Sequence, residues 1–338
     1  MLTFDNAILL IFGLDPESEN FRHPKVQYQK AYEYMDKVVL YRHALPQCLW
    51  KLQRRLRIGS EREFAKAMKI FDEFLYHCFS LKRDESKSTR NEPIDQEEAN
   101  YRYLDMLTIY MEKKGDPYPD KFLRDMAISF VAASKDTLNS SLTWFFWLIA
   151  THPSVEAKIL EEMRENFPAD VHGDMNLELL FSKTENLKKL VYLQAALFET
   201  LRLYPPLPFN HKMAVKEDTL PSGHRLKRNV RVLIALYPMG RMEEIWGQDC
   251  LEFKPERWIS EDGEFLHVPS HKFATFGTGP RSCLGKDIVL IQMKVVAIWV
   301  LRNYTLQVVE GHPTSPDLTI TLYMKNGLMV RVSKRTWA

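Results

Sequence analysis

The chain of 338 residues lacks any apolar run close to the ~20 residues that cross a bilayer. Its longest such runs, at 7–14 and 142–150, stop far short, so the sequence predicts no transmembrane helix. It also lacks an excess of either charge, because 46 basic side chains against 44 acidic ones leave a formal +2. Without a single-sign field to hold a polyanion, nucleic acid is excluded as a main partner. Cysteine is scarce: Cys48, Cys78, Cys250 and Cys283 form no C-x-x-C pair, which gives neither a disulfide framework nor a zinc-finger spacing. The thiols read as reduced. No secretory signal is predicted from these opening residues, since Asp5 stands where a basic segment belongs and no small-residue cleavage site follows. Opening residues that pass straight from Leu2-Thr3-Phe4-Asp5-Asn6 into apolar periodicity read as a chain entered in mid-fold. What is abundant is core material, with 45% apolar and 12% aromatic residues.

Up to about residue 205 the pattern is helical, in 3.6-residue periodicity punctuated by Pro46, Gly59 and Pro153. Residues 81–100 carry mixed charge and almost no apolar side chain, and read as a solvated loop or a polar helix end. Long helices are predicted over 122–151 and 187–203, the latter stopped by Pro205-Pro206. Beyond that point the period changes to 2: Val230, Val232, Ile234 and Leu236 alternate with their neighbours as a half-buried strand. Leu318, Ile320 and Leu322 alternate likewise, and Asn326-Gly327 then predicts a hairpin returning through Leu328, Val330 and Val332. A helix over 284–303, apolar nearly all round, is predicted to be buried. With no internal repeat, the expectation is one mainly α domain with minor β over 1–338, helical over 1–205 and with a small β region over 206–338.

The strongest chemistry lies in Phe276-Gly277-Thr278-Gly279-Pro280-Arg281-Ser282-Cys283-Leu284-Gly285. It puts one cysteine at the entrance to a helix, where unsatisfied N–H groups and the helix dipole favour a thiolate, hence a metal ligand. Gly279 permits a tight loop, and Gly285, without Cβ, lets a flat cofactor approach the first helical turn. Arg281 offers a fork of donors suited to a carboxylate such as a haem propionate, and Phe276 would shield the sulfur from water. An ordinary buried cysteine, or a zinc site from Cys250, His267, His271 and Cys283, are the alternatives, the latter short of the usual close cysteine spacing.

The pattern F-x-x-G-x-R-x-C-x-G resembles the haem loop of the cytochromes P450, haem-thiolate monooxygenases, with Cys283 as axial ligand of the haem b iron. Two further motifs agree. Glu199-Thr200-Leu201-Arg202 matches the family's E-x-x-R, and Pro255-Glu256-Arg257 its P-E-R segment. The resemblance implies a buried structural network of Glu199, Arg202 and Arg257. In the helix over 122–151, Ala132-Ala133-Ser134-Lys135-Asp136-Thr137-Leu138 resembles [AG]-G-x-[DE]-T-[TS], making Thr137 the catalytic alcohol and Asp136 the acid that relays protons. Ser134 replaces the usual glycine and Leu138 the second hydroxyl; the alternative is a Ser/Thr-rich helix bonding its own i−4 carbonyls. His211 is a further propionate candidate. The aromatic run Trp144-Phe145-Phe146-Trp147 reads as core packing.

The stretches LTFDN, YRHALPQCLWKLQR, SLTWFFWLIATHPSVEAKILEEM and ERWISEDG resemble the plant branch that hydroxylates fatty acids and long-chain alkanes. That resemblance implies a long aliphatic substrate, O2, and electrons from NADPH through a flavoprotein reductase docking near Lys272, Arg281 and Lys286. It also implies residence at the cytosolic face of the endoplasmic reticulum membrane, with membrane association belonging to a longer form carrying an N-terminal third and anchor. Two other readings stay open: a non-catalytic fragment of the fold, and a haem-thiolate isomerase or dehydratase, which the Asp136-Thr137 pair argues against.

Overall fold

The computed structural model describes residues 2–14, 25–89, 110, 118–167, 184–317 and 319–335. They fall into two compact units, Met1–Asp136 and Thr137–Ala338.

The first unit is helical: α1 (Leu2–Phe12), α2 (Lys25–Ala44), α3 (Gln47–Leu56), α4 (Gly59–Thr89) and the first half of α5 (Asp120–Thr151). Its core forms where helical spacing stacks aromatics on one face. Phe71, Phe74, Leu75 and Phe79 of α4 meet Phe4, Ile8, Ile11 and Phe12 of α1, Tyr28, Tyr32 and Met35 of α2, and Leu123, Ala127 and Val131 of α5. Two arginine forks clamp the periphery. Arg42 holds Glu61 through both oxygens at 2.8 and 2.9 Å, and Arg124 holds Asp72 at 2.7 and 2.9 Å. The charged stretch after residue 81 continues α4 as a polar helix end to Thr89, and residues 90–100 lie outside the described part. In α3 the amphipathicity is inverted: the helix buries no residue, and Leu49, Leu52 and Leu56 are about half exposed.

The second unit carries the rest of α5, then α6 (Pro153–Asn166), α7 (Thr184–Lys188), α8 (Val191–Leu203), β1 (Phe209–Met213), β2 (Asp218–Thr219), β3 (Arg225–Leu226) and β4 (Arg231–Ala235). Short helices α9 (Leu236–Met239) and α10 (Glu243–Trp246) follow, then 3-10 turns at Pro255–Trp258 and Gly279–Arg281, α11 (Lys286–Asn303), β5 (Tyr304–Val308) and β6 (Val330–Lys334). Leu197 and Leu201 of α8 pack with Leu142 and Phe145 of α5, Ile159 and Met163 of α6, and Ile298 and Leu301 of α11. Glu162 of α6 fixes the start of α8 by accepting the backbone N–H of Tyr192 (2.6 Å) and Leu193 (2.9 Å), two donors a helix start leaves unpaired. Of the aromatic run, Trp144 and Phe145 are buried and the other two are half-buried. The Trp144 indole stacks on Tyr204 at 4.0 Å and donates, together with the Ser140 hydroxyl, to the carbonyl of Leu322.

Three expectations are corrected. The helix predicted over 187–203 is broken, α7 ending at Lys188 and α8 starting at Val191. The predicted hairpin through Asn326-Gly327 does not form. Gly327 closes a turn onto the Met324 carbonyl, but β6 pairs antiparallel with β5, Leu306 opposite Val332; residues 319–322 of the first arm form no strand, the isolated Pro316–Met324 bridge lies wholly ahead of the turn, and residue 318 lies outside the described part. An alternating run specifies a strand, not its partner. Finally, α11 is buried only along its second half. Ile288 and Ile291 are exposed, and Leu284 just ahead of the helix is 79% exposed.

Candidate functional site

Three constellations named by the sequence can be located. The first surrounds Glu199, which sits with Arg202 one turn apart on α8 and fully buried. Arg202 binds both carboxylate oxygens at 2.7 Å. The Trp258 indole N–H (2.9 Å), the Lys254 backbone N–H (3.1 Å) and Arg257 Nε (3.3 Å) complete five donors on one carboxylate. The remaining guanidinium hydrogens of Arg202 go to the carbonyls of Gly240, Cys250 (2.6 Å) and Glu252 (2.9 Å). Arg257 in turn reaches the carbonyls of Trp246 (2.8 Å) and Asp249 (3.0 Å). The carboxylate of Asp249, between Lys254 and Arg257, is held down to about 2 by those cationic hydrogen bonds. Both Glu199 oxygens are thus taken up inside the cluster, which ties α8 to the segment 240–258.

Gly240 belongs to this cluster and the sequence reading missed it. A Cβ there would stand 2.1 Å from the Arg202 carbonyl oxygen, so only glycine admits the α8 backbone. Arg241, also missed, donates to the Leu203 carbonyl at the end of α8 and lies 3.7 Å over the Tyr237 ring; burial pulls its proton affinity below the arginine norm.

The second constellation is the cysteine loop. Phe276 anchors it, its half-buried ring 6.2 Å from Phe198 of α8, and its carbonyl accepts the Cys283 N–H at 2.7 Å. Gly277 and Gly279 take φ of 71° and 69°, and Ser282 N–H closes the 3-10 turn onto Gly279. The result presents the Cys283 thiol at the surface, three residues before α11, with Arg281 also exposed. Phe276 thus braces the loop from behind; its ring is engaged with α8.

In the third constellation, on α5, Asp136 and Lys135 are buried and Thr137 is half-buried. Asp136 accepts the Tyr32 phenol at Oδ2 (2.8 Å) and Lys135 Nζ at Oδ1 (3.0 Å). The Ser/Thr alternative holds for their neighbours: Ser134 bonds the Phe130 carbonyl at 2.8 Å and Ser141 that of Thr137 at 2.7 Å, each four residues back. Asp136 instead reaches across to α2, a partner 104 residues away. His211 is exposed on β1, opposite Leu233. The zinc alternative is not assembled, because among the described residues no three His, Cys, Asp or Glu side chains converge as metal ligands.

An exposed thiol on a glycine-bearing loop, tied by its own N–H and backed by a saturated Glu/Arg cluster, agrees with the family model that the chain matches. That model, described as cytochrome P450, covers residues 2–330. The chain belongs to the cytochrome P450 family. It is 43% identical over 98% of its length to "Alkane hydroxylase MAH1" of Arabidopsis thaliana, and 42% identical over 99% to "Cytochrome P450 86B1" of the same plant. To "Noroxomaritidine synthase 2" of Narcissus aff. pseudonarcissus MK-2014 it is 39% identical over 99%. It spans 64%, 59% and 63% of the lengths of these relatives. The mainly α architecture with small sheets is that of the family.

The loop residues of this P450 chain fit a haem. A metal arriving in a macrocycle brings its equatorial nitrogens and asks one thiolate of the protein, which is what the loop offers. At Gly285 an added Cβ would meet no protein atom within 4 Å, so packing within the chain does not require glycine there, while a flat group lying on that face does. Leu284, next to Cys283 in sequence, and Ile288 and Ile291 in the first half of α11 are exposed apolar side chains, suited to a hydrophobic ring.

Proposed function

We propose that the chain is the haem-binding portion of a monooxygenase that hydroxylates unactivated C–H bonds of long-chain alkanes or fatty acids. The observation that carries this reading is the Cys283 loop: an exposed thiol, an unobstructed Gly285 face and an apolar border, on a segment braced through Phe276 onto α8. Haem b bound through Cys283 supplies reductive activation of O2, its electrons coming from NADPH through a flavoprotein reductase. The work of the chain's own residues is then distinct. Cys283 donates charge to the metal, and Arg281, with His211, is the partner for propionates. Thr137 and Asp136 hold the hydroxyl and carboxylate through which protons move, and Glu199, Arg202 and Arg257 keep α8 rigid behind the loop. Lys272, Arg281 and Lys286 are exposed basic groups on the reductase-facing side of this reading. The aliphatic substrate class rests on the likeness to the alkane hydroxylase.

Residence at the endoplasmic reticulum membrane is part of the same proposal, although no described helix is long and apolar enough to cross a bilayer. The inverted helix α3 supports a surface association. Leu49, Leu52, Leu56 and Ile58 face outward among Lys51, Arg54, Arg55 and Arg57, and residues 37–60 contain no acidic side chain. A basic, leucine-faced helix of this kind lies on anionic lipid.

The test is the reduced carbon-monoxide difference spectrum of the haem-loaded chain. A thiolate-type band that disappears in Cys283→Ala is the expected result. A folded chain with no band, or a band that survives the substitution, removes Cys283 as ligand and the monooxygenase reading with it.

A further inference from the structure

On α5 the acid of the proposed proton-handling pair is not left to itself. Both oxygens of Asp136 are engaged, Oδ1 by Lys135 and Oδ2 by the Tyr32 phenol, and Lys135 Nζ also sits 4.7 Å over the Tyr32 ring. Tyr32 is only 5% exposed, so the phenol, the ammonium and the carboxylate form a closed triangle shielded from water. Asp36, one turn further along α2, borders this group half-buried. The titratable groups gathered here are therefore Tyr32 and Asp36 from α2, and Lys135 and Asp136 from α5. Burial and the neighbouring Asp136 charge drive the Tyr32 phenol far above the tyrosine norm, so it stays a proton donor throughout the working range.

A hydrophobic core has no use for a tyrosine hydroxyl unless it is paired, and phenylalanine would fill the same volume. What the hydroxyl adds is direction. It turns the carboxylate of Asp136 toward α2 and holds one rotamer, while consecutive positions on a helix diverge by roughly 100° and so Thr137 projects elsewhere. An acid held in this way delivers or accepts a proton only in step with its partners.

We infer that Tyr32 is a positioning residue for Asp136: its O–H, with Lys135, fixes the orientation of the carboxylate that serves Thr137. Tyr32 keeps its own proton. This inference rests on the reading of Asp136 as the proton-handling acid, and the experiment separates the two.

The haem-loaded chain is assayed with a flavoprotein reductase and a long-chain alkane, scoring product formed per O2 consumed across pH, for Tyr32→Phe, Asp136→Asn and the double variant. Tyr32→Phe is expected to lower this ratio roughly tenfold, the equivalent of one hydrogen bond to a charged group. It should also displace the pH profile by about half a unit or more while leaving the carbon-monoxide band in place. The double variant should be no worse than Asp136→Asn alone. Independently of activity, urea midpoints of the same set should be non-additive, as for any contacting pair. Lys135→Gln, acting on the other oxygen, should reproduce the profile shift if Tyr32→Phe proves too unstable to assay. A Tyr32→Phe chain that loses stability yet keeps the wild-type ratio and pH profile makes the phenol purely structural and overturns the inference. An Asp136→Asn chain with unchanged coupling removes Asp136 from the chemistry and the inference with it, whatever the urea midpoints show.

Discussion

Two buried carboxylates sit on helices of this chain with a cation close by in sequence, and their surroundings differ. Glu199 on α8 accepts five hydrogen bonds, three of them from arginines, and both arginines are bonded onward to backbone carbonyls. Asp136 on α5 accepts two, one from a neutral phenol, with half-buried Asp36 at its edge. A carboxylate whose lone pairs are all taken up by fixed cations and N–H groups has nothing to exchange. One held by a phenol and a single ammonium keeps capacity to change partners. The contrast supports a scaffold role for the first and, under the proposed function, proton handling for the second.

The comparison breaks first at Arg202. Removing its side chain in Arg202→Ala strands Glu199 without its main counter-charge and frees three backbone carbonyls, a loss of about 3–5 kcal/mol, large against the stability of most domains. The expected outcome is a chain recovered mostly insoluble, or with a urea midpoint collapsed relative to wild type. Asp136→Asn preserves shape but leaves the buried Lys135 ammonium without its carboxylate, and with no freed backbone carbonyls to add it should cost about 3 kcal/mol, the lower end of the same range. Equal losses at both sites would erase the distinction between them. Next in size is Gly240→Ala, in which the new methyl must displace the α8 backbone at Arg202, costing about 2–3 kcal/mol. An unchanged thermal midpoint in that variant would mean the α8 backbone yields freely, contrary to a rigid scaffold.

How much of the fold and site is legible in the sequence follows the range of the interactions. The spacing of Glu199 and Arg202 is local and can be read directly, and the cysteine loop is contiguous. Arg257 enters through resemblance. Trp258 and the Lys254 N–H carry no sequence mark, because what recruits them is the burial of the carboxylate, a property of the packed state. Gly240 looks like any loop glycine until the Arg202 carbonyl is found against it. Tyr32 shows the limit most plainly: an aromatic in an apolar helix stripe predicts core, and nothing at position 32 announces a partner 104 residues on. The available signal is on the other side, a Lys-Asp pair set into the apolar middle of α5, which demands a polar neighbour without naming it. The failed hairpin at 326–327 has the same cause, since strand pairing is decided by which edge is free in the folded unit.

The smallest effect concerns the edge of the Asp136 group. Burial, and then the Asp136 charge, lift the Asp36 carboxyl above the ordinary carboxylate value, with Lys135 opposing. The folded chain therefore keeps a proton at Asp36 over a window in which the unfolded chain has already released it. In that window the native state binds more protons, so the contribution of this group to stability falls as pH rises from the ordinary carboxylate value through the raised one, and then stays constant. Asp36→Asn should flatten that fall and leave the variant more stable than wild type at neutral pH, by at most about 1 kcal/mol because solvent screens a half-buried group. Denaturant midpoints at acid and neutral pH check this directly. A variant less stable than wild type at neutral pH would show that Asp36 is held by a favourable contact outweighing its burial, and the edge of the Asp136 group would then be as firmly fixed as the Glu199 cluster.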